Sequence, residues 1–396
     1  MKIQALNVYP IKALRPIQLD SAVLTPQSIR HNRTFMLFKV NDDASLVKLQ
    51  LSRFPQCALF SQEIVRGPGS TTDSDSDSDD ATILVRYHTP SPPLVPHHPL
   101  QTTALSVPLV PDTSALDPVS VDLHGSPAAA LRMGSRFDAF FSACFGFPTM
   151  LVHIGSGRRP VLGSLAPPKP SSLLSSIASY LPFSSSSSSS SSPSNTAPWL
   201  TFTDCAPLLV TSTSSLSHPA LSPLAASESE PPGLLGAELL LPASASSSSN
   251  SSSSSGSGSG SSSAASLLLT ANCGRCSSLN VDYATGRPSR HPDGKLLNAL
   301  MGDRRVDPGH RYAPVFGRYA FLSAPGDVRV RVRVRVGDEV VVARRNETRT
   351  VFDWPLGAPA TANSTAAAWK QLLSLRLHFP ILFYFIFLQM TSLSYA

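Results

Sequence analysis

The sequence is poor in charged residues and especially in lysine. Charged residues make up 15% of its 396 residues, against about 25% in typical soluble proteins, and only seven of them are lysines. Serine and 36 prolines occupy the difference, a composition that predicts long low-complexity stretches between folded segments. Because hydrophobic residues still reach 42%, disorder of the whole chain is excluded, and roughly two modest domains are expected.

A cysteine framework and a long apolar run are also missing. The five cysteines are Cys57, Cys144, Cys205, Cys273 and Cys276. Their number is odd and most lie far apart, and neither a secretory signal nor a mitochondrial presequence is visible. We therefore expect free thiols in a reducing, cytoplasmic environment. The apolar run Phe379–Leu388 spans about ten residues, whereas a membrane-spanning helix needs about 20. A segment outside the fold is the expected interpretation of this run, and a membrane anchor is the minor alternative.

Positive charge is concentrated in one part of the chain. Between Arg287 and Arg349 there are 13 arginines and one lysine against seven acidic residues, a surplus of seven positive charges. Nucleic-acid-binding arms normally cluster lysine together with arginine, so the scarcity of lysine argues against a nucleic-acid partner. An anionic small ligand held by arginine fits the composition at least as well.

Hydrophobic periodicity predicts several strands and one helix. The predicted strands are Lys2–Val8, Thr34–Val40, Thr82–Tyr87 and Met150–Ile154. Apolar residues at helical spacing predict a helix over Arg136–Phe145, with Gly146 as its end.

A strict alternation of valine and arginine predicts one further strand. Over Val328–Val336 it places five valines on one face and four arginines on the other. Gly337 and Asp338 are expected to form a turn, and Glu339–Ala343 is the predicted partner strand. A solvated sheet face is the simplest interpretation of these arginines.

Serine-rich tracts divide the chain. Ser184–Ser192 and Ser244–Ser263 are expected to be disordered linkers or insertions. We predict a β domain over residues 1–165, a Ser-rich linker over 166–198, and a second domain over 199–356. Low-complexity sequence interrupts this second domain at about 217–266. Residues 357–396 are predicted to form a tail outside the fold.

Cys273-Gly-Arg-Cys276 is the one cysteine pair with ligand spacing. Structural zinc requires a second pair, and a thioredoxin-like motif requires a helix after the first cysteine. The segment that follows, SSLNVDYATG, instead predicts a strand and a turn. A third interpretation is a single reactive thiolate at Cys276, which the neighbouring Arg275 favours and which is both a nucleophile and a ligand for soft metals.

A series of short segments then carries a family resemblance in a fixed order. They are Val8–Lys12 (VYPIK), Arg30–Met36 (RHNRTFM), Arg53–Pro55 (RFP), His124–Ser126 (HGS), Phe137–Gly146, Arg159–Gly163 (RPVLG), Phe202–Pro207 (FTDCAP) with Ser215-Leu216, Cys273–Gly286 (CGRCSSLNVDYATG), Pro314–Gly317 (PVFG), Val336–Asp338 (VGD) and Phe352–Pro355 (FDWP). Together they resemble the MOSC family, the molybdenum-cofactor-binding module of molybdenum cofactor sulfurases and of the mitochondrial amidoxime reducing component.

The resemblance implies a fold and a site. The fold would be mostly β with some α, an N-terminal β domain packed on a β-barrel-like MOSC domain with the pterin between them. Cys276 would ligate molybdenum and act in catalysis, and Asp282 would handle protons in the metal pocket. The implied cofactor-binding residues are Lys12, Arg33, Arg275 and Asn280. Plain surface charge is the alternative for Lys12 and Arg33, and turn formation is the alternative for Asp282.

Three departures from the family pattern concern the cofactor site. Asn32 stands where the family has an acidic residue, and Ala13 stands where it has a serine. The family's R-F-R-P-N segment, which normally supplies basic and amide groups, has no counterpart in residues 217–266.

The implied function is a molybdenum-cofactor oxidoreductase that reduces N-hydroxylated substrates. Electrons would come from a b-type cytochrome and its flavin reductase, since the sequence shows no haem, flavin or iron–sulfur motif. The alternative is a non-catalytic carrier of the cofactor or of sulfur. Pyridoxal phosphate is associated with this role only through the sulfurase relatives. A nucleic-acid-binding or inactive β protein is the third possibility. The mitochondrial outer surface is the second choice of location after the cytoplasm.

Overall fold

Short strands are the main regular elements of the fold. The computed structural model describes residues 1–67, 81–167, 197–217, 219, 239–241, 265–323, 331–345 and 350–355. The strands are β1 (Ala5–Val8), β2 (Ile17–Leu19), β3 (Ser21–Thr25), β4 (Ser28–Ile29), β5 (Phe35–Val40), β6 (Leu46–Lys48), β7 (Phe60–Val65), β8 (Thr82–Tyr87), β9 (Ala104–Pro108), β10 (Asp117–Leu123), β11 (Ser126–Arg132), β12 (Thr149–His153), β13 (Arg159–Pro160), β14 (Trp199–Leu200), β15 (Leu208–Ser212), β16 (Leu239–Leu241), β17 (Ser266–Gly274), β18 (Val281–Asp282), β19 (Arg287–Pro288), β20 (Val315–Ser323) and β21 (Val332–Arg335).

Helices are few among these residues. The α-helices are α1 (Ser135–Phe145), α2 (Thr213–Leu216) and α3 (Leu296–Leu300), and the 3₁₀ turns are Pro55–Leu59, Pro99–Thr102, Ser277–Asn280, Pro292–Gly294 and Pro308–His310. The mostly β fold with some α that the sequence predicts is therefore confirmed. No helix within these ranges has the length and apolar character needed to cross a membrane, and Phe379–Leu388 lies outside them.

The largest sheet combines two N-terminal strands with four strands from the second half of the chain. Its strand order is β17-β20-β15-β16-β1-β2, and a second sheet of five strands has the order β10-β11-β12-β5-β6. Two three-stranded sheets, β21-β3-β4 and β7-β8-β9, and two short pairs complete the architecture. In the large sheet β15 and β16 run parallel, whereas β1 and β16 run antiparallel. The last residue of β1 and the first residue of β15 therefore lie at the same end of the sheet.

Helix α1 forms where the sequence predicts it. Phe140, Phe141 and Phe145 are buried in the largest apolar core cluster, where the Phe60 ring lies 4.8 Å from that of Phe145. The helix ends at Gly146, whose left-handed φ of 75° favours glycine. A Cβ on that residue would also approach the side chain of Val95 to within 2.6 Å.

The valine–arginine strand is confirmed in its middle, but its predicted partner is wrong. β21 pairs with β3, Val334 lying opposite Ala22, and Val332 and Val334 pack on a core cluster. Glu339 instead forms an isolated bridge with Lys2, because the chain after the turn runs alongside the N-terminus. Val336 is 42% exposed, so it does not join the buried face that was predicted for it. Residues 328–330 lie outside the described part.

The low-complexity interval contains a strand that the sequence analysis missed. Residues 239–241 form β16 between β15 and β1, so part of the interval at about 217–266 belongs to the large sheet. The tracts Ser184–Ser192 and Ser244–Ser263 and the predicted tail lie outside the described residues. Met1–Trp354 form one compact unit, and the domain boundaries proposed from composition stay predictions.

Candidate cofactor site

A lysine and an aspartate meet at the end of the large sheet where β1 ends and β15 begins. Lys12 follows β1, where its backbone N–H donates to the carbonyl of Phe35 over 2.9 Å, and Asp204 precedes β15. The Lys12 Nζ lies 2.5 Å from the Asp204 Oδ1. The lysine side chain is 6% exposed, whereas the aspartate side chain is 42% exposed. The lysine is therefore enclosed, and the aspartate presents the pair to solvent.

Burial and neighbouring charges shift the pKa values of both members of this pair. Burial lowers the pKa of Lys12 to about 8, although Asp204 opposes the shift, and the neighbouring Arg33 lowers it further. For Asp204, burial acts to raise the pKa, but Lys12, a hydrogen bond from His124 and Arg33 together hold it well below its usual range. The carboxylate is therefore kept ionised by its cationic neighbours.

Arg33 is a second cation at this end of the sheet. Its backbone lies in the left-handed region with φ 50°, its N–H donates to the carbonyl of Tyr9, and its carbonyl accepts from Phe202. The guanidinium lies 4.8 Å from the centre of the Tyr9 ring, a cation–π arrangement. Arg33 is thus buried between the strand that delivers Lys12 and the segment that delivers Asp204, which excludes the plain surface charge considered as its alternative.

Arg159 is a structural residue whose importance the sequence did not reveal. It is fully buried, and its guanidinium donates to backbone carbonyls on two segments. The acceptors are Leu123 and Ser126 at the turn between β10 and β11, and Thr201, Thr203 and Asp204 ahead of β15. The arginine therefore fixes the backbone that carries Asp204. Its place in the RPVLG segment was the only sequence signal.

The thiol of Cys276 lies where β17 gives way to a turn. Of the five cysteines, Cys276 is exposed and the other four are buried. The residues after it first form the 3₁₀ turn Ser277–Asn280, and the predicted strand and turn follow as the short β18 (Val281–Asp282) and residues 283–286. Its Sγ lies 3.1 Å from the Ser278 Oγ. The chain thus presents one accessible sulfur at this point, which is the arrangement that a single metal ligand or nucleophile requires.

Arg275 is held beside this thiol by its neighbours. Its backbone N–H donates to the carbonyl of Pro314 over 2.8 Å, and its guanidinium donates to the Cys273 Sγ over 3.7 Å. Burial opposes the charged guanidinium, but the Cys273 and Cys276 sulfurs outweigh it and raise the pKa of Arg275. For Cys273 the direction is the opposite: burial raises the pKa of its thiol, although the positive charge of Arg275 acts to lower it. Cys273 therefore positions Arg275, whereas Cys276 is the accessible sulfur.

The side chains of Asp282 and Asn280 form hydrogen bonds with nearby residues in this structure. The Asp282 carboxylate accepts from the N–H groups of Ala284 and Thr285 and from the Thr285 hydroxyl, which is the turn-forming alternative. The Asn280 side chain accepts from Leu297 N and donates to the Asn298 Oδ1, next to the start of α3. Roles for these two residues toward a cofactor stay predictions.

One segment contacts both parts of the site. The carbonyl of Ser52 accepts from the Ser277 hydroxyl over 3.3 Å, next to Cys276. Two residues earlier, the Gln50 Nε2 lies 3.2 Å from the His124 Nε2, and His124 contacts Asp204. Residues 50–52 therefore connect the segment of the thiol with the Lys12–Asp204 pair through hydrogen bonds. In the described part of the chain, no group of three or more His, Cys, Asp or Glu side chains could hold a metal ion.

Two models of known protein families match the chain, one in each half. Residues 1–115 match the model of the MOSC N-terminal beta barrel domain, and residues 197–341 match the model of the MOSC domain. No curated protein matches the chain. The first match contains Lys12 and Arg33, and the second contains Asp204, Arg275 and Cys276.

Proposed function

Because the chain belongs to the MOSC family, whose domains are associated with molybdenum-cofactor binding, we propose that it is a molybdenum-cofactor oxidoreductase. Its substrates in this proposal are N-hydroxylated compounds. The observation that carries the proposal is the single exposed thiol, Cys276, next to the held cation Arg275. Hydrogen bonds of residues 50–52 and His124 link its segment to the Lys12–Asp204 pair.

The residues present fit such a cofactor. A pterin dithiolene supplies sulfur ligands of its own, so one protein thiolate completes a soft coordination sphere, and Cys276 is the accessible candidate. The cofactor's phosphate is an anion that lysine and arginine bind well, and Lys12, Arg33 and Arg275 are the candidate cations. When bound, the cofactor would supply two-electron chemistry with oxygen-atom removal at the metal.

The overall reaction determines how many electrons and protons must be supplied. Reduction of a hydroxylamine, R–NHOH, to R–NH₂ and water consumes two electrons and two protons. The electrons would come from a separate b-type cytochrome and its flavin reductase. In this proposal the chain's own residues bind and orient the cofactor, and the location is cytoplasmic, with the mitochondrial outer surface as the second choice.

A cofactor or sulfur carrier is the second candidate, and one observation favours it. Residues 217–266 contain no arginine or lysine, so the cations that hold the anionic cofactor come from elsewhere. Weaker retention would suit transfer to an acceptor protein, and the exposed Cys276 thiol would also suit a persulfide. Ready release of the cofactor to an acceptor apoenzyme would favour the carrier, whereas a tight, non-transferable complex would favour the oxidoreductase.

The experiment that tests the oxidoreductase compares Cys276→Ser with the wild type. Both are purified from a host that makes the cofactor, and reduction of an amidoxime is measured with a chemically reduced electron donor. We expect at least a tenfold loss of turnover in the variant, since the metal loses its protein ligand. Ser278→Ala, which removes only the neighbouring hydroxyl, is the matched control. Full activity of Cys276→Ser would refute the assignment.

A further inference from the structure

We propose that the exposed thiol of Cys276 is bordered by a docking surface for a protein with an acidic surface. In the proposed function, on which this inference rests, that partner is the electron donor, which has to approach the site closely. Six exposed cations form the surface, which we call the basic rim: Arg53, Arg287, Arg290, Lys295, Arg305 and Arg311.

Two segments of the basic rim are hydrogen-bonded to the residues that follow Cys276. The Ser277 hydroxyl donates to the carbonyl of Ser52 over 3.3 Å, next to the first rim arginine. The N–H of Ser289, in the stretch between two rim arginines, donates to the carbonyl of Asn280 over 2.7 Å. The side chain of the same asparagine accepts from an N–H in the first turn of α3, directly after the rim lysine. These four cations therefore lie on segments that adjoin the thiol.

The third segment is the loop of residues 304–314, whose inner side is fixed. The carbonyl of Pro314 accepts from the N–H of Arg275 over 2.8 Å. The carboxylate of Asp307, a buried residue, accepts from the Asn272 side chain over 2.9 Å and from the N–H of Phe352 over 3.1 Å. The loop is thus held next to the thiol in one conformation, so a partner would meet a surface that is already formed.

The outer side of this loop displays residue types that are enriched at the centres of protein interfaces. Tyr312 is 78% exposed and Val306 is 46% exposed. The Arg311 guanidinium lies 5.8 Å from the centre of the Tyr312 ring. Tyrosine and arginine are among the side chains that contribute most to binding between proteins. Tyr312 is therefore the aromatic anchor of the proposed surface.

The charge balance of the surface selects an acidic partner. Residues 274–314 contain seven arginines and lysines and four aspartates. Two of these aspartates, Asp282 and Asp307, accept hydrogen bonds from the backbone of their own turns. Among the residues that the structure describes, Arg53, Arg287 and Arg290 form no ion pair. A carboxylate-rich protein would therefore meet unpaired cations beside the thiol.

An acidic protein fits this surface better than a nucleic acid, the other common polyanion. One of the six rim cations is a lysine, whereas nucleic-acid-binding surfaces normally cluster lysine together with arginine. The exposed Val306 beside the rim adds apolar surface, which a protein partner can cover and a phosphate backbone cannot.

The test measures binding of the soluble domain of an acidic b-type cytochrome to the full chain by biolayer interferometry. At about 200 mM NaCl the association rate of the wild type should be at least tenfold lower than at about 20 mM, because the added salt screens the rim charges. At the lower salt, Arg290→Glu should associate at least threefold more slowly than the wild type. Arg136→Glu, the same change at the exposed start of α1 and outside the rim, is the matched control and should stay within twofold.

A second variant tests the aromatic anchor. Tyr312→Ala removes an exposed ring, so the fold should persist, and the complex should dissociate at least tenfold faster with little change in association. Four results would each overturn the inference: no binding of the wild type at the lower salt, unchanged association of Arg290→Glu, unchanged dissociation of Tyr312→Ala, or tighter binding of a random DNA duplex than of the cytochrome. Molybdenum content and turnover play no part in these measurements, so this inference and the proposed function fail separately.

Discussion

Replacing Lys12 with methionine should stabilise the folded protein while weakening its anion site. Burial lowers the pKa of Lys12 from 10.5 to about 8, which corresponds to about 3 kcal/mol against the charged ammonium in the folded state. This figure already includes the attraction of Asp204, because a pKa reflects the net influence of all neighbours. Methionine has a similar length and no charge, and the Asp204 side chain, which is 42% exposed, can stay hydrated without its partner. We therefore expect Lys12→Met to be about 1–3 kcal/mol more stable than the wild type near pH 7.

The pH dependence gives this prediction a second, independent readout. Between about pH 8 and about pH 10.5 the unfolded chain holds the Lys12 proton and the folded protein has lost it. Wild-type stability should therefore rise with pH across this window, and Lys12→Met should lack that rise. Urea unfolding of both proteins at several pH values measures the difference. A variant less stable than the wild type by more than about 1 kcal/mol at pH 7 would refute the reasoning.

Three further predictions concern the surroundings of the site. Arg159→Met leaves buried carbonyls without their donor and should cost more than about 3 kcal/mol in urea unfolding, and a loss below about 1 kcal/mol would contradict the structural role given to this residue. Gly274→Ala would bring a Cβ to within 2.5 Å of the His310 ring, and it should lower stability by about 1–3 kcal/mol, whereas an unchanged melting temperature would show that the ring moves freely. Of the five cysteines, Cys276 alone should react with a thiol reagent in the native state, so rapid labelling of two or more would disprove the burial of the others.

Local elements could be predicted because local residues determine them. The strand Thr82–Tyr87 coincides with β8, and the end of α1 was predictable because Gly146 is a residue that readily adopts the left-handed backbone. Strand partners depend on distant packing. The partner of β21 is β3, about 300 residues earlier in the chain, and no periodicity in the sequence around residue 332 indicates it.

The candidate site follows the same division. The residue types at Lys12, Arg33, Arg275 and Cys276 could be selected from short motifs. The ion pair between Lys12 and Asp204 could not, because it joins segments 192 residues apart that meet only when β1 and β15 enter one sheet. The buried role of Arg159 was hidden for a related reason, since its acceptors are backbone carbonyls, which leave no trace in the side-chain sequence.

The central claim is that this site holds a molybdenum cofactor. The most direct test is the molybdenum content, by elemental mass spectrometry, of the full chain purified from a host that makes the cofactor. The account predicts about one molybdenum atom per chain in the wild type, the stoichiometry of a single protein thiolate ligand, and clearly less in Lys12→Met, whose fold is expected to be intact. A well-folded wild-type protein without molybdenum would contradict it.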